Sequence, residues 1–343
     1  MIKLDQVLDD YCRENQISGM LRVTKKDQII YKRNFGYAIE HSKTEFTDDS
    51  MFTFYSMSKP LCAIGLLRLK DLGLINIDVH PKKYLKEASC FDDRLTIRHL
   101  LHHVSGIPDP EQTQEFKEKY IGEANYSTIR KHVELISKYP SYFAPNTSAR
   151  YTNINFMIPA LIIENVTGQN YFDYMKENVF LPLGMKTAII DDADLYIENR
   201  VQGYELIDGK RTPVERSKVW LLGAGDVVGT VDDAYCLNKA YKNKILLKQS
   251  TWEEIVTPSP INSMGLGNTV FTWHGKKRIN HNGGHYGFRT MHVQLPEDDF
   301  DIILLSNSGY GNARDDIAEI IYQTFYGTID DTGEKIDMDK GYI

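Results

Sequence analysis

Residues 54–73, FYSMSKPLCAIGLLRLKDLG, place the strongest constraint on how this chain can fold. Their apolar side chains cover most of the circumference of a helix, at Leu61, Ile64, Leu66, Leu67, Leu69 and Leu72. A helix of this kind is buried on nearly all sides, so the fold has to enclose it. Pro60 fits the first helical turn, where its missing N–H removes no hydrogen bond, and Gly73 suits the C-terminal cap.

Strand patterns lie near both ends of the chain. Residues 19–37 alternate on either side of the polar segment KKDQ and predict a β-hairpin. After residue 263, further strands are predicted at 264–273, 277–280, 288–295 and 300–306. Residues 279–288 form a polar, glycine-rich break between two of these strands. Helices are predicted outside the strand clusters, an amphipathic one at 1–16 and a closing one at 315–325.

Between these ends the pattern is mostly helical, from residue 96 to about residue 174. The chain therefore predicts an α+β fold of the α/β sandwich type. Its antiparallel sheet is built from both chain ends, is flanked by helices from both ends, and encloses a large all-helical insertion. We expect a single unit at 1–343, with a sheet-containing subdomain at 1–75 and 225–343 and a mostly helical subdomain at 76–224.

Charge and composition narrow the choice of partners. The 343 residues carry a formal net charge of −7 at pH 7. Nucleic acids and anionic membranes both select basic patches, so we expect neither nucleic-acid binding nor membrane insertion. The longest apolar runs, such as residues 156–163, are too short to cross a bilayer. The chain start lacks the apolar core of a signal peptide and the four cysteines are scattered, which predicts a cytoplasmic protein with unpaired thiols.

Ser56 and Lys59 stand three residues apart at the start of the apolar helix, on one face, so their hydroxyl and amine can meet. A serine becomes a strong nucleophile when a base takes its proton, and a lysine is such a base when burial or a nearby cation lowers its pKa. The N–H groups of a helix N-terminus would favour a developing oxyanion. An N-cap serine followed by a lysine that extends its amine to water fits the same four residues. Composition alone predicts roughly one Ser-x-x-Lys in a chain of this size.

Two further segments favour the catalytic interpretation. Tyr151-Thr-Asn153 contains a tyrosine, which beside an amine can share proton transfer with it. The segment INHNGGHYGF at 279–288 places glycines at a strand end, where they let a ligand approach the backbone closely.

Together these segments resemble the serine β-lactamase and penicillin-binding-protein superfamily. The likeness is strongest to its class C branch of D-alanyl-D-alanine carboxypeptidases, D-aminopeptidases and β-lactamase-like esterases. Its Ser-x-x-Lys, Tyr-x-Asn and Lys-Thr-Gly or His-Thr-Gly motifs are matched in order by Ser56-Met-Ser-Lys59, Tyr151-Thr-Asn153 and His281-Asn-Gly283. Flanking segments at 95–106, 163–168, 180–185 and 224–233 also resemble the family, and the likeness spans residues 4–325.

The resemblance implies the β-lactamase/DD-peptidase-like fold and a serine acyl hydrolase. Ser56 would attack an acyl carbonyl, and Lys59 and Tyr151 would move its proton and later protonate the leaving group. Asn153 would bind the substrate amide or order the Lys59 amine, and the N–H groups of Ser56 and Gly284 would form an oxyanion hole. No cofactor is needed. The residues expected to bind a small-molecule or short peptide substrate are Asn153, His281, Asn282, Gly283, Gly284 and His285.

Two departures from the family motif bear on the substrate. Asn282 replaces the usual threonine, and His281 replaces the lysine of true class C β-lactamases, so the permanent cation of that motif is missing. We therefore expect small esters, amides or D-amino-acid peptides as substrates and weak or no β-lactamase activity. Carboxylate-bearing substrates would gain affinity as the pH falls through the titration of His281. A non-hydrolysing penicillin-binding or ligand-sensing protein of the same fold is the alternative.

The histidines raise the question of a metal site. His99, His102 and His103 form an HxxHH cluster, and His281 and His285 lie four residues apart. The second pair lies in the glycine-rich break, where helical spacing does not apply, and the first cluster resembles a structural part of the family. We therefore predict no metal site.

Overall fold

The structure is a computed structural model that describes residues 2–119, 127–191, 195–214, 221–309 and 313–327. Its strands are β1 (Gly19–Lys25), β2 (Gln28–Phe35), β3 (Phe52–Thr53), β4 (Ile189–Ile190), β5 (Tyr204–Ile207), β6 (Lys210–Pro213), β7 (Val227–Gly229), β8 (Thr269–Trp273), β9 (Lys276–His285), β10 (Phe288–Leu295) and β11 (Phe300–Ser306). Its helices are α1 (Ile2–Glu14), α2 (Ser58–Asp71), α3 (Ile97–Leu101), α4 (Gln114–Lys119), α5 (Ser127–Ile136), α6 (Ile154–Thr167), α7 (Tyr171–Met175), α8 (Leu181–Leu183), α9 (Val231–Asn243), α10 (Gln249–Ile255) and α11 (Ala313–Tyr326). Short helical turns lie at Tyr55–Met57, Pro81–Lys83, Lys86–Cys90, Pro110–Gln112, Lys176–Phe180 and Pro296–Asp298.

The main sheet joins the two ends of the chain. Within the described residues it has six antiparallel strands in the order β2-β1-β11-β10-β9-β8. Strand β1 from the beginning of the chain pairs with β11 from its end, in a register that sets Gly19 opposite Ser306. The predicted antiparallel sheet built from both chain ends is therefore confirmed.

The predicted strand boundaries near the third motif are wrong. Strand β9 runs without interruption to His285, so Gly283 and Gly284 are extended and paired with β10 rather than part of a break. The chain reverses in the two residues Tyr286 and Gly287, with φ angles of 40° and 81°, which is the geometry of a type I′ turn. Strand β8 begins at Thr269, and Met264 makes only an isolated bridge to it.

Helices cover both faces of the main sheet. Helices α1 and α11, from opposite chain ends, pack on one face through a common apolar cluster that includes Leu8, Leu21, Val293, Ile302 and Ile317. The alternate residues of the same strands face a larger core with α2, α6 and α9, because successive side chains of a strand point to opposite sides. The prediction of an antiparallel sheet flanked by helices from both chain ends is confirmed.

Helix α2 lies in the centre of this larger core. Its residues from Ser58 to Leu67 are all buried, as the apolar sequence predicts. It packs against α6, which is equally apolar, and Gly65 lets the two residues Met175 and Val179 approach its backbone. No helix in the described parts of the chain is long and apolar enough to span a membrane.

The insertion at 76–224 is mostly helical, but it also contains strands. Strand β4 pairs with β7, which in turn pairs with β3, and β5 and β6 form a hairpin. The sequence analysis missed that hairpin, whose turn at Asp208 and Gly209 again has positive φ angles. The division into subdomains at 1–75 with 225–343 and at 76–224 stays a prediction.

Replacing Leu66 with alanine tests the burial of α2. Leu66 is fully buried, so the substitution should reduce the free energy of unfolding by about 2–5 kcal/mol. The matched control is Leu72→Ala at the end of the same helix, where the side chain is 62% exposed and the change should stay within about 0.5 kcal/mol. Urea titration measures both, and equal losses in the two variants would contradict this packing.

Candidate active site

The backbone before Ser56 is fixed between two sheets. The Phe54 N–H donates to Val227 O at 2.8 Å, and Thr290 Oγ1 donates to Phe54 O at 2.7 Å. Tyr55 then adopts a left-handed conformation with φ 48°, which for an aromatic residue costs about 1–3 kcal/mol and persists only where surrounding contacts enforce it. This turn places Ser56 at the entrance to α2, with its side chain half-buried.

Lys59 is fully buried, and its amine makes contacts with three segments. Lys59 Nζ lies 3.0 Å from Ser56 Oγ, 2.9 Å from Asn153 Oδ1 and 2.6 Å from Ala224 O. The last two atoms are carbonyl oxygens, which only accept hydrogen bonds. A neutral amine has two N–H groups and one lone pair, so donating to both carbonyls leaves the lone pair for the Ser56 hydroxyl. The geometry thus matches a base poised to take the proton from Ser56.

The environment makes a neutral amine available near pH 7. Burial lowers the pKa of Lys59 to about 7, and the carboxyl groups of Asp109, Glu111 and Asp226 oppose that change. These three carboxyls come from the segment before α4 and from the one before β7. The sequence analysis missed them, because acidic residues in a loop ordinarily face water.

Tyr151 lies beside this amine. Its ring is stacked on His103 with centroids 4.2 Å apart, and Lys59 Nζ lies 4.8 Å from the Tyr151 ring centroid. Tyr151 is 45% exposed as a residue, but the protein that surrounds its hydroxyl raises the pKa of the phenol, against an interaction with the Ser56 hydroxyl that lowers it. The phenol therefore keeps its proton at neutral pH and is available as a donor. The structure brings together all of Ser56, Lys59, Tyr151 and Asn153, as the sequence predicts.

The free edge of β9 supplies a backbone donor. Strand β8 pairs with β9 only as far as Asn280, so no described strand covers the outer edge of β9 from His281 onward. A two-residue type I′ turn makes His285 and Phe288 a hydrogen-bonded pair, and antiparallel pairing then alternates. The N–H of Gly284 therefore points away from β10, and the turn containing Ser56 also contacts β9.

Gly283 allows that contact to be close. A β-carbon at this position would overlap with the Phe54 carbonyl oxygen and with the Thr290 hydroxyl. Both belong to the hydrogen bond that fixes the backbone before Ser56, so neither can move without disturbing the serine. Glycine at 283 is thus required for β9 to lie against the nucleophile.

A cavity of about 470 Å³ opens over these groups. Its lining residues are Ser56, Tyr151, Met264, Thr269, Asn280, His281, Asn282, Gly283, Gly284, Arg289 and Arg314. Arg314 Nη1 donates to Gly283 O at 2.8 Å, and Arg289 Nη1 donates to Phe288 O at 2.7 Å. Two guanidinium groups, from β10 and α11, therefore line the cavity although the motif itself has no permanent cation at position 281. Each is a single residue in an ordinary strand or helix pattern, and no signal in the sequence marks it.

The expectation that carboxylate binding follows the titration of His281 is contradicted by the burial of this residue. The residue is only 4% exposed, and burial, aided by the neighbouring Lys59, lowers its pKa to about 3. Its Nδ1 lies 2.7 Å from Asn282 O. His281 stays neutral across the physiological range, so a gain of affinity for carboxylates would not come from this group.

The remaining predicted residues occupy different places. Asn282 lines the cavity, and its amide nitrogen lies 3.5 Å from Asp315 Oδ2. Asn153 lies behind the Lys59 amine and is not among the lining residues. His285 is exposed at the end of β9, packs beside Tyr55 and Tyr286, and does not line the cavity.

The HxxHH histidines serve three separate contacts. His99 closes a capping box at the start of α3, His102 Nδ1 lies 2.7 Å from Met264 O, and His103 Nδ1 lies 3.1 Å from Asn155 Nδ2. Among the residues that the structure describes, no group of histidine, cysteine or acidic side chains is arranged to hold a metal ion.

Comparison with known proteins places this geometry in context. The profile of the Beta-lactamase family matches residues 4–323. Penicillin-binding protein 4* of Bacillus subtilis is 26% identical over 332 residues, which cover 89% of this chain and 71% of that protein. A penicillin binding protein from Bacillus halodurans has a similar structure, with a TM-score of 0.80, 22% identity and coverage of 93% of this chain and 99% of that one. D-amino acid amidase from Ochrobactrum anthropi SV3 gives a TM-score of 0.78 at 21% identity, covering 94% of this chain and 98% of its own.

The reactivity of Ser56 should follow the protonation of Lys59. Because the amine must be neutral to take the serine proton, labelling by a fluorophosphonate should accelerate as the pH rises through about 7 and then level off. Labelling rates between about pH 5 and pH 9 measure this, with Ser56→Ala as the unlabelled control. A rate that keeps rising towards the ordinary lysine value of 10.5 would contradict the role of burial.

Proposed function

Because the chain belongs to the Beta-lactamase family, we propose that it is a serine acyl hydrolase that forms an acyl-enzyme at Ser56. Membership confirms the superfamily and the serine-hydrolase class predicted from the sequence. The observation that carries the proposal is the buried Lys59 amine, which lies 3.0 Å from Ser56 Oγ and is held there by contacts with two carbonyl oxygens.

Acylation follows from this arrangement. Ser56 Oγ–H gives its proton to the neutral Lys59 amine, and Oγ forms a bond to the acyl carbon of the substrate. The carbonyl oxygen becomes an oxyanion that accepts from the N–H groups of Ser56 and Gly284, each worth about 3 kcal/mol in the transition state. When the carbon–heteroatom bond breaks, the Tyr151 phenol donates a proton to the leaving group and recovers one from Lys59.

Hydrolysis of the acyl-enzyme reverses the same proton path. A water molecule loses a proton to the base formed by Lys59 and Tyr151 and attacks the acyl carbon within the same oxyanion hole. The Ser56 oxygen then leaves and regains its proton. These steps use the side chains and backbone of this chain alone.

The substrates that fit are small esters, amides or D-amino-acid peptides, and we propose that the preferred ones carry a carboxylate. Arg289 and Arg314 line the cavity beside Gly283 and Gly284. Guanidinium groups bind carboxylates through strong charge-assisted hydrogen bonds. The similarity to a D-amino acid amidase supports an acyl donor of amino-acid size. Weak or no β-lactamase activity stays a prediction. The lack of a cation no longer supports it, because Arg289 and Arg314 line the cavity.

Replacing Ser56 with alanine tests the nucleophile. Turnover of p-nitrophenyl acetate and butyrate should disappear, as should labelling by a fluorescent penicillin or a fluorophosphonate, because no acyl-enzyme can form. Ser137→Ala, an exposed serine at the end of α5, is the matched control and should retain both. Stable labelling without turnover of any ester would favour the ligand-sensing alternative, and loss of turnover with EDTA would favour a metal mechanism.

Replacing Arg314 or Arg289 with glutamine tests the carboxylate preference. The kcat/KM ratio between a carboxylate-bearing ester and its neutral analogue should fall about tenfold or more, because a charge-assisted hydrogen bond is lost. Comparing the two substrates cancels any general loss of activity that follows from breaking the Arg314 contact with Gly283. Arg94→Gln, at an exposed site, is the control. An unchanged ratio in both cavity variants would contradict the preference.

A further inference from the structure

Glu111 lies on the far side of Asn153 from the catalytic amine. Both of its carboxylate oxygens lie 3.5 Å from Asn153 Nδ2, while Asn153 Oδ1 lies 2.9 Å from Lys59 Nζ. The side-chain amide of Asn153 therefore stands between a carboxylate and the amine that activates Ser56.

This placement decides which way the amide faces. The two ends of an asparagine amide differ only in hydrogen-bonding character, because Nδ2 donates and Oδ1 accepts. A carboxylate accepts only, so Glu111 favours the orientation with Nδ2 towards itself and Oδ1 towards Lys59. The opposite orientation would present N–H groups to Lys59 and take away one of the two acceptors that leave its lone pair for Ser56.

The segment that carries Glu111 is tied to the start of α6. Asp109 Oδ2 accepts a hydrogen bond from the Asn153 N–H at 2.9 Å, and the Gln112 N–H donates to Asp109 O at 3.1 Å. Pro108 and Pro110 flank Asp109 and restrict the backbone of the segment. Glu111 is thus held opposite Asn153 by backbone contacts that do not depend on its own side chain.

The charges around Lys59 give Glu111 a second effect. Asp109, from the same segment, and Asp226, from the turn before β7, also face the amine. Asp226 Oδ2 accepts a hydrogen bond from the Gly223 N–H. His103, Tyr151 and His281 surround it from other elements, Cys62 lies on α2 itself, and Arg314 reaches the cavity from α11. An ionised Glu111 favours the ammonium form of Lys59, whereas a protonated one favours the free amine. Burial, with Asp109 second, raises the pKa of Glu111 to about 7, and burial likewise raises the pKa of Asp226 to about 7.

We propose that Glu111 is a positioning residue which orients the Lys59 amine through Asn153 and whose negative charge favours the ammonium form of that amine. The inference rests on the proposed function, since it concerns the base of that reaction. Glu111 does not touch the substrate, and its effect is to set the pH above which Ser56 is activated.

The variant Glu111→Gln tests this, because glutamine keeps an acceptor for Asn153 and removes the charge. The acid limb of kcat/KM for p-nitrophenyl acetate should move to lower pH by about one unit, since one carboxylate no longer favours the ammonium form. Glu118→Gln, an exposed carboxyl on α4, is the control and should leave the limb unchanged. A lower plateau with an unshifted limb would overturn the proposal.

A second variant separates charge from contact. Glu111→Asp keeps the charge but shortens the side chain, so kcat should fall while the acid limb stays within a few tenths of a pH unit of the wild type. If Glu111→Asp shifts the acid limb by about one pH unit, the proposal is overturned. This arm decides the question even if Glu111→Gln fails to fold. Absence of turnover and labelling in the wild type would instead refute the proposed function itself.

Discussion

The burial of one amine is the constraint on which the structure depends. A charged ammonium in the place of Lys59 would cost several kcal/mol of desolvation, so the surrounding protein favours the neutral form. Helix α2 excludes water from that position because its residues are apolar on all sides. The carbonyl groups of Asn153 and Ala224 then satisfy both N–H groups. Apolar packing thus generates a base, and hydrogen bonds direct it at one hydroxyl.

The positive charges that line the cavity come from two arginines and not from the third motif. His281 occupies the position beside Lys59, stays neutral because it is buried, and adds no permanent charge near the amine. The guanidinium groups of Arg289 and Arg314 lie instead at the free edge of β9 and the start of α11. Gly283 keeps the arginines and Ser56 at one cavity, because the absence of a side chain lets β9 lie directly against the backbone that carries Ser56. The proposed function requires both features, an amine with a pKa of about 7 and guanidinium groups that can bind an anion.

Much of the fold, and the proximity of Ser56 to Lys59, could be predicted from the sequence, because both depend on local sequence patterns. The spacing of apolar residues predicted α2 and the strands near both chain ends. Helical spacing predicted that the Ser56 hydroxyl lies close to the Lys59 amine. The sequence did not predict three residues near the site, Arg289, Arg314 and Glu111. Their proximity to it depends on strand register and on how a loop packs against α6. The state of His281 was misjudged because burial is a property of the folded surroundings and not of the histidine.

The pairing of β1 with β11 has a consequence for biosynthesis. The hairpin of β1 and β2 is translated before the long insertion, whereas its partner strand β11, which sets Ser306 opposite Gly19, is translated only after it. Until then the β1 edge has no native neighbour, and the buried residues Leu21 and Val23 on it lack their cover. Unpaired edges of this kind invite association with other chains. The β1 edge is thus open to association with other chains during synthesis until β11 has been made.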